Sequence, residues 1–79
     1  MTITATTTIT PAEANTIVCR LTRRIGHNSA PTWAAKCAGV ESQLGLLALK
    51  CGNRQSADRH MNNASALRTA ASNARRQWR

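Results

Sequence analysis

Cysteine and histidine are the residues of this chain best suited to catalysis or metal binding, but their spacing favours neither. Cys37 and Cys51 fall on one face of a predicted helix, where a rise of about 1.5 Å per residue separates them by about 21 Å, too far to share a metal ion. His27 and His60 have no acid and nucleophile at a recognisable spacing. We therefore expect no enzymatic activity, no cofactor and no metal, and we expect the thiols to pack as small apolar side chains.

The charge balance gives the strongest functional signal. Eleven Lys and Arg face three Asp and Glu within 79 residues, and the net charge is +8. So few carboxylates leave no obvious pair for acid–base catalysis. A surface of one sign attracts an anionic partner, such as nucleic acid or an acidic protein face. The alternative is that the charge serves solubility alone, although small domains rarely need so much of one sign.

The cysteine count and hydropathy bear on location. Cys19, Cys37 and Cys51 form an odd set without close pairing, unlike the disulfide frameworks of small secreted domains, so we expect a reducing, cytoplasmic setting. The longest apolar run covers residues 44–49 and is far shorter than the ~20 residues of a spanning helix, so no membrane partner is expected. A transit peptide is the weaker alternative, because the first nineteen residues carry no basic side chain.

Three amphipathic segments predict an all-α fold. We expect a small antiparallel three-helix bundle over residues 11–79, as a monomer or as an intertwined homodimer. A flexible or strand-like Thr-rich arm precedes it over residues 1–10. A frayed tail is the favoured description of this arm, because a lone strand becomes ordered only by pairing with another chain.

Helix start and stop signals place the three helices. Thr10-Pro11-Ala12-Glu13 forms a capping box with proline at the first helical position, and Gly26 ends the first helix. The predicted helices cover about 11–25, 31–51 and 55–78.

The second helix carries a heptad pattern over nearly three heptads. Its apolar residues alternate in steps of four and three: Trp33, Cys37, Val40, Leu44, Leu47 and Cys51. Such a stripe suits packing along another helix at a shallow angle, within one chain or between two. Gly39 and Gly45 indicate either a close backbone contact or a weak helix at this point.

The third helix repeats this spacing with smaller side chains: Met61, Ala64, Leu67, Ala71, Ala74 and Trp78. The chain has no Phe and no Tyr, so alanine must fill much of any interior. We therefore expect closely spaced helices and a marginally stable monomer that self-association or a bound partner stabilises.

The candidate partner-binding residues are basic side chains of the first and third helices, with one tryptophan. They are Arg20, Arg23, Arg24, Arg68, Arg75, Arg76, Trp78 and Arg79. Cations near a helix C-terminus also offset the helix dipole, so part of this cluster has a structural explanation. Trp78 either stacks on a partner between arginines that grip phosphates, or completes the apolar stripe of the third helix.

One pentapeptide carries a resemblance to known proteins. Ile25-Gly26-His27-Asn28-Ser29 resembles a segment near the start of small phage and prophage proteins and of a related nucleoid-associated DNA-binding family; it covers five of 79 residues. The resemblance implies a phage accessory protein acting in the cytoplasm of a bacterial host cell. Anti-CRISPR inhibitors are a prominent class of such proteins, and they obstruct nucleoprotein complexes.

By that analogy we expect a non-enzymatic inhibitor of a host nucleoprotein defence complex. It would dock its arginine-rich faces on an acidic protein surface of that complex or on nucleic acid. The alternative is a direct DNA- or RNA-binding regulator, or a structural subunit of a nucleoprotein, that places the same arginines on phosphates.

Overall fold

The protein is an all-α bundle, as the sequence predicts. The computed structural model describes residues 8–77 and contains α1 (Pro11–Ile25), α2 (Ala30–Lys50) and α3 (Arg54–Gln77), with no strand among those residues. The predicted bounds of α1 agree with the structure, those of α2 are displaced by one residue, and α3 begins one residue before its predicted start. Residues 1–7 of the predicted arm, together with Trp78 and Arg79, lie outside the described residues.

The capping box at the start of α1 is present. The backbone N–H of Glu13 donates to Thr10 Oγ1 at 3.1 Å, and the N–H of Thr10 donates to Glu13 Oε1 at 3.2 Å. Each bond satisfies a donor that the first helical turn leaves without an intrahelical partner. Glu13 is therefore engaged in holding the helix end.

A tight turn makes α2 and α3 antiparallel neighbours. Gly52 has φ of 79°, and its N–H donates to the carbonyl of Leu49, while the N–H of Asn53 donates to the carbonyl of Ala48. This pair of bonds is the Schellman arrangement that ends a helix at a residue of positive φ. Asn53 then starts α3, because its Oδ1 accepts from the N–H of Ser56.

The first helix lies along only one half of this hairpin. Before α1, the N–H of Ile9 donates to Oδ1 of the buried Asn63, halfway along α3, at 2.6 Å. At its other end, Arg23 lines a cleft with Gln77 in the last turn of α3. The fifteen residues of α1 span about 22 Å and the 21 of α2 about 31 Å. The C-terminal half of α2 and the start of α3 therefore project as a two-helix extension.

Residues 8–10 of the predicted arm behave differently from a frayed tail. Ile9 packs against the buried core as well as bonding to Asn63, although these residues form no strand. The bundle of the same chain orders them, so the expectation that order here requires another chain is wrong for this part of the arm.

The interior is made almost entirely of alanine. Among the large apolar residues in 8–77, only Val18 and Leu67 are buried, and none of the large side chains there is fully buried. Besides Pro31 and Gly45, the remaining buried apolar residues are all alanines: Ala14, Ala30, Ala34, Ala38, Ala57, Ala64, Ala70, Ala71 and Ala74. The prediction of an alanine-filled interior is confirmed. Because hydrophobic stabilisation scales with the apolar area buried, such a core stabilises the monomer only weakly.

The second helix buries a different face from the one that its heptad pattern marks. Ala34, Ala38 and Gly45 face the bundle, while Val40 and Leu47 are each 57% exposed. Cys19, Cys37 and Cys51 are also exposed, so the prediction that the thiols pack inside is wrong for the single chain. Small side chains let α2 lie close to α3, and that contact leaves the larger residues of α2 on the outside.

Only one of the two mid-helix glycines in α2 makes a close contact. A Cβ on Gly45 would lie 3.0 Å from Met61 Cε and 3.3 Å from the carbonyl oxygen of Ala57. A Cβ on Gly39 would meet nothing within 4 Å. Gly45 therefore permits the close approach of α2 and α3, whereas Gly39 only lowers the helix propensity of α2.

The two glycines make a matched pair of stability tests. We expect Gly39→Ala to raise the free energy of unfolding by about 0.5–1 kcal/mol, because alanine loses less backbone entropy in a helix. Gly45→Ala should be less stable than Gly39→Ala by about 1 kcal/mol or more, because its Cβ crowds the Ala57 carbonyl. Urea denaturation followed by circular dichroism measures both, and equal stabilisation would contradict the close contact at Gly45.

Candidate anion-binding surface

The C-terminal turns of α1 and α3 lie side by side and both are basic. Arg23 and Arg24 occupy the last turn of α1, Arg75 and Arg76 occupy the last turn of α3, and all four residues are exposed. We call these four arginines the cationic end. Each helix end exposes carbonyl groups that carry a partial negative charge, so cations are favourable there even without a partner.

A cleft with both polar and apolar lining separates α1 from α3 at the cationic end. It has a volume of about 490 Å³, and Val18 and Ala74 form part of its floor. The polar side chains that line it are Asn15, Thr22, Arg23, His27, Asn73 and Gln77. Amide and guanidinium groups donate hydrogen bonds to phosphate and carboxylate oxygens, so this lining suits an anionic group.

Asn73 connects the cleft to the arginines of α3. Arg76 Nη2 donates to Asn73 Oδ1 at 2.6 Å, one turn earlier on the same helix. This bond restricts the Arg76 side chain, so less side-chain freedom remains to be lost when the guanidinium binds an anion.

None of the three acidic residues lies in the last turns that form the cationic end. Glu13 caps the start of α1, Glu41 lies in the middle of α2 and contacts α3, and Asp58 is in the second turn of α3. The cationic end therefore has no carboxylate within its own helical turns to neutralise it.

Two other predicted site residues, Arg20 and Arg68, lie away from the cationic end. Arg20 is exposed one turn before Arg23, where it lines a separate shallow depression on α1 with Glu13 and Thr16. Arg68 lies about 10 Å along α3 from Arg75, and its Nη2 donates to Ser42 Oγ on α2 at 3.0 Å. Only four of the predicted residues are thus brought together at the cationic end, and Trp78 and Arg79 lie outside the described residues.

His60 is largely buried and pairs with an acidic residue of the neighbouring helix. Its Nδ1 lies 2.6 Å from Glu41 Oε2, and the two side chains are only 13% and 22% exposed. The pair joins α2 to α3 four residues before the close contact at Gly45. In the described part of the chain, no three His, Cys, Asp or Glu side chains are grouped as metal ligands would be.

Sequence reasoning missed the polar side chains of the cleft. Asn15 and Thr22 are seven residues apart on α1, and Asn73 and Gln77 are four apart on α3, so each pair forms a polar stripe beside the apolar one. That spacing is visible in the sequence. It carries no functional meaning until the packing of α1 against α3 brings the two stripes together.

Residues 25–29 form the connection between α1 and α2. Ile25 ends α1, Gly26 has φ of 91°, and the next three residues make the turn into α2. The N–H of Gly26 donates to the carbonyl of Thr22, and the carbonyl of Gly26 accepts from the N–H of Ala30. Its role in the fold is to place the start of α2 beside the cationic end.

Comparison with protein-family models, with curated proteins and with solved structures finds no match to this chain. Among residues 8–77, no helix combines the length and the apolarity that crossing a bilayer requires. Function is therefore inferred from the residues of this chain alone.

The arginines of the cationic end can be removed without loss of the fold. We expect Arg23→Gln, Arg24→Gln, Arg75→Gln and Arg76→Gln together to retain the helical circular dichroism spectrum. Each substitution should lower the free energy of unfolding by no more than about 1 kcal/mol, because the exposed side chains contribute mainly through the helix dipole. Loss of the helical spectrum would show that these arginines hold the bundle together.

Proposed function

We propose that this chain is a non-enzymatic inhibitor of the phage accessory kind, which binds a host nucleoprotein defence complex in the manner of an anti-CRISPR protein. The cationic end docks on an anionic surface of that complex and blocks it by steric exclusion and charge. The observation that carries the proposal is the grouping of Arg23, Arg24, Arg75 and Arg76 on adjacent helix ends without an acidic neighbour in those turns.

The chemistry of arginine supports docking on carboxylates or phosphates. A guanidinium is charged at all physiological pH values and presents a planar set of donors that matches either group in a bidentate way. Surface ion pairs are individually weak, worth about 0–1 kcal/mol, so affinity requires several of them acting together. Four exposed arginines beside the cleft provide such a set.

The cleft gives the docking surface a shape as well as a charge. Asn15 and Thr22 on α1 face Asn73 and Gln77 on α3 across it, with Arg23 at its edge. The Thr22 hydroxyl already donates to a backbone carbonyl of α1, so the neutral donors of the cleft are its amide side chains. A protruding anionic group, such as a partner carboxylate or a phosphate, would find these amide donors inside the cleft and guanidinium groups around it. The positive charge would attract the anionic partner, and the cleft would fix the orientation in which the partner binds.

A second candidate function is direct binding of DNA or RNA as a regulator or structural subunit. The same four arginines favour it, because phosphate contacts need no particular base sequence. In that case the affinity would fall steeply with salt, since each phosphate neutralised by a cation releases condensed counterions.

Binding assays separate the two candidates. We expect the chain to bind random duplex DNA, single-stranded DNA and RNA no more tightly than about 10⁻⁶ M at physiological salt, the range of non-specific electrostatic binding. Fluorescence anisotropy at two salt concentrations measures this. Submicromolar binding to any of these nucleic acids would overturn the inhibitor proposal in favour of the regulator.

A pull-down from bacterial host lysate with the purified chain as bait tests the inhibitor directly. Recovery of a nucleoprotein defence complex, or inhibition of that complex by the purified chain, supports the proposal. Arg75→Gln with Arg76→Gln should reduce capture at least tenfold. The matched control is Lys50→Gln with Arg54→Gln, which removes two exposed charges at the far end of the bundle and should leave capture unchanged. Equal losses in both variants would show that net charge, rather than the cationic end, drives binding.

A further inference from the structure

The heptad stripe of α2 is an apolar surface that the single chain leaves open. We call it the α2 seam; it consists of Trp33, Cys37, Val40, Leu44, Leu47 and Cys51. Trp33 is 52% exposed, Leu44 is 41% exposed, and the two cysteines are also exposed. The seam spans eighteen residue steps, which is about 27 Å of helix. An apolar stripe of this length on a small protein marks an interaction surface.

The α2 seam carries few charged residues, in contrast to the cationic end. Between Cys37 and Leu49 the only charged residue is Glu41, and its Oε2 already contacts His60. A helix that is apolar around most of its circumference is normally buried on more than one side. The bundle buries the alanine and glycine face of α2 and leaves its larger apolar residues largely exposed; Trp33 is covered by Lys36 of the same helix, whose Nζ lies 5.2 Å from the ring centroid.

We infer that the α2 seam binds the seam of a second copy of this chain, and that the two α2 helices run parallel in a symmetric dimer. The steps of four and three define heptad positions, with Cys37, Leu44 and Cys51 at a and Trp33, Val40 and Leu47 at d. Equivalent positions of two identical stripes can interdigitate along their whole length, so the seam is complementary to itself. A symmetric dimer uses one surface patch twice in this way.

Flanking charges favour the parallel orientation. Lys36 lies at a g position and Glu41 at the e position five residues later, the spacing at which g and e side chains meet across a parallel pair. Each Lys36 would therefore face the other copy's Glu41, which is 22% exposed. In an antiparallel pair, e positions face e positions and g positions face g positions. That arrangement would bring the two Glu41 side chains together and each Lys36 close to a Lys50.

The parallel orientation has a consequence for the cationic ends. Both copies would present Arg23, Arg24, Arg75 and Arg76 on the same side of the dimer, because α2 starts beside these residues. Repulsion between the two ends is screened beyond about 8 Å at physiological ionic strength. The dimer inference stands on the seam and does not depend on the proposed inhibitor function.

Two leucines of α2 provide a matched test of the seam. Leu47 is on the seam and 57% exposed, while Leu46 is off the seam and 52% exposed. We expect the wild-type chain to be a dimer by light scattering and analytical ultracentrifugation at about 10–100 µM under reducing conditions. Leu47→Glu should be a monomer and Leu46→Glu a dimer, and circular dichroism should show that both retain their helices, since neither side chain is buried in the monomer.

Each outcome of this test decides the inference. A wild-type chain that stays monomeric over that concentration range overturns it, whether residues 1–7 or a different protein then covers the seam. Dissociation by Leu46→Glu, or retention of the dimer by Leu47→Glu, also overturns it, because the interface would then not be confined to the seam.

Disulfide cross-linking through Cys37 can show whether the two α2 helices of the dimer run parallel or antiparallel. In a parallel pair, each Cys37 lies opposite the second copy's Cys37, near the Cα separation of about 4.4–6.8 Å that a disulfide needs. In an antiparallel pair aligned on the same seam, the two Cys37 residues would lie about 15 Å apart at 1.5 Å per residue. A chain that retains only Cys37 should therefore form a covalent dimer with diamide, which accepts the two electrons and two protons of the paired thiols.

Cys19 provides the control for the cross-link. It is equally an exposed thiol but lies on α1, away from the seam. A chain that retains only Cys19 should stay uncross-linked on non-reducing gels at the concentration at which the Cys37 chain forms a dimer. Failure of the Cys37 chain to cross-link, or equal cross-linking of the Cys19 chain, overturns the parallel orientation.

Discussion

The close contact between α2 and α3 is the constraint on which the rest of this structure depends. Both helices present small residues to each other, with Ala38 and Gly45 on α2 and Ala57 and Ala64 on α3. Small side chains allow the backbones to approach, and at Gly45 the Ala57 carbonyl leaves no room for a methyl group without movement. The contact is close but buries little apolar area, so it positions the helices more than it stabilises them.

Two different surfaces follow from this contact. Because the small residues of α2 face inward, its large apolar residues face outward and form the seam. Because α1 is short and starts beside Asn63, it lies along the C-terminal half of α3 and brings two basic helix ends together. Apolar and cationic residues are therefore separated on the molecule, one set along a helix flank and the other at the end of the bundle.

The two proposed surfaces would act through different physical interactions. Binding at the cationic end would depend on charge, and salt would weaken it. Association through the seam would depend on apolar burial, and it would respond to protein concentration. A parallel dimer would connect them, because pairing of the seams would place two sets of four arginines on one side of the molecule. A partner with repeated anionic groups would then gain from binding both sets at once.

The sequence by itself determined the local structure: the three helices, the capping box at Thr10, the stop at Gly52, the alanine-rich interior and the excess of positive charge. These follow from interactions within one or two helical turns and from composition. Only the tertiary structure decided which face of α2 is buried, that His60 contacts Glu41, and that Arg23 and Gln77 share a cleft while Arg68 lies apart. The heptad rule favours the larger apolar side chains as the contact face, yet here alanine and glycine form it. The reason is that only one face of α2 can pack against α3. Whether that is the alanine face or the leucine face depends on how closely the two helices can approach, which the sequence of α2 does not determine.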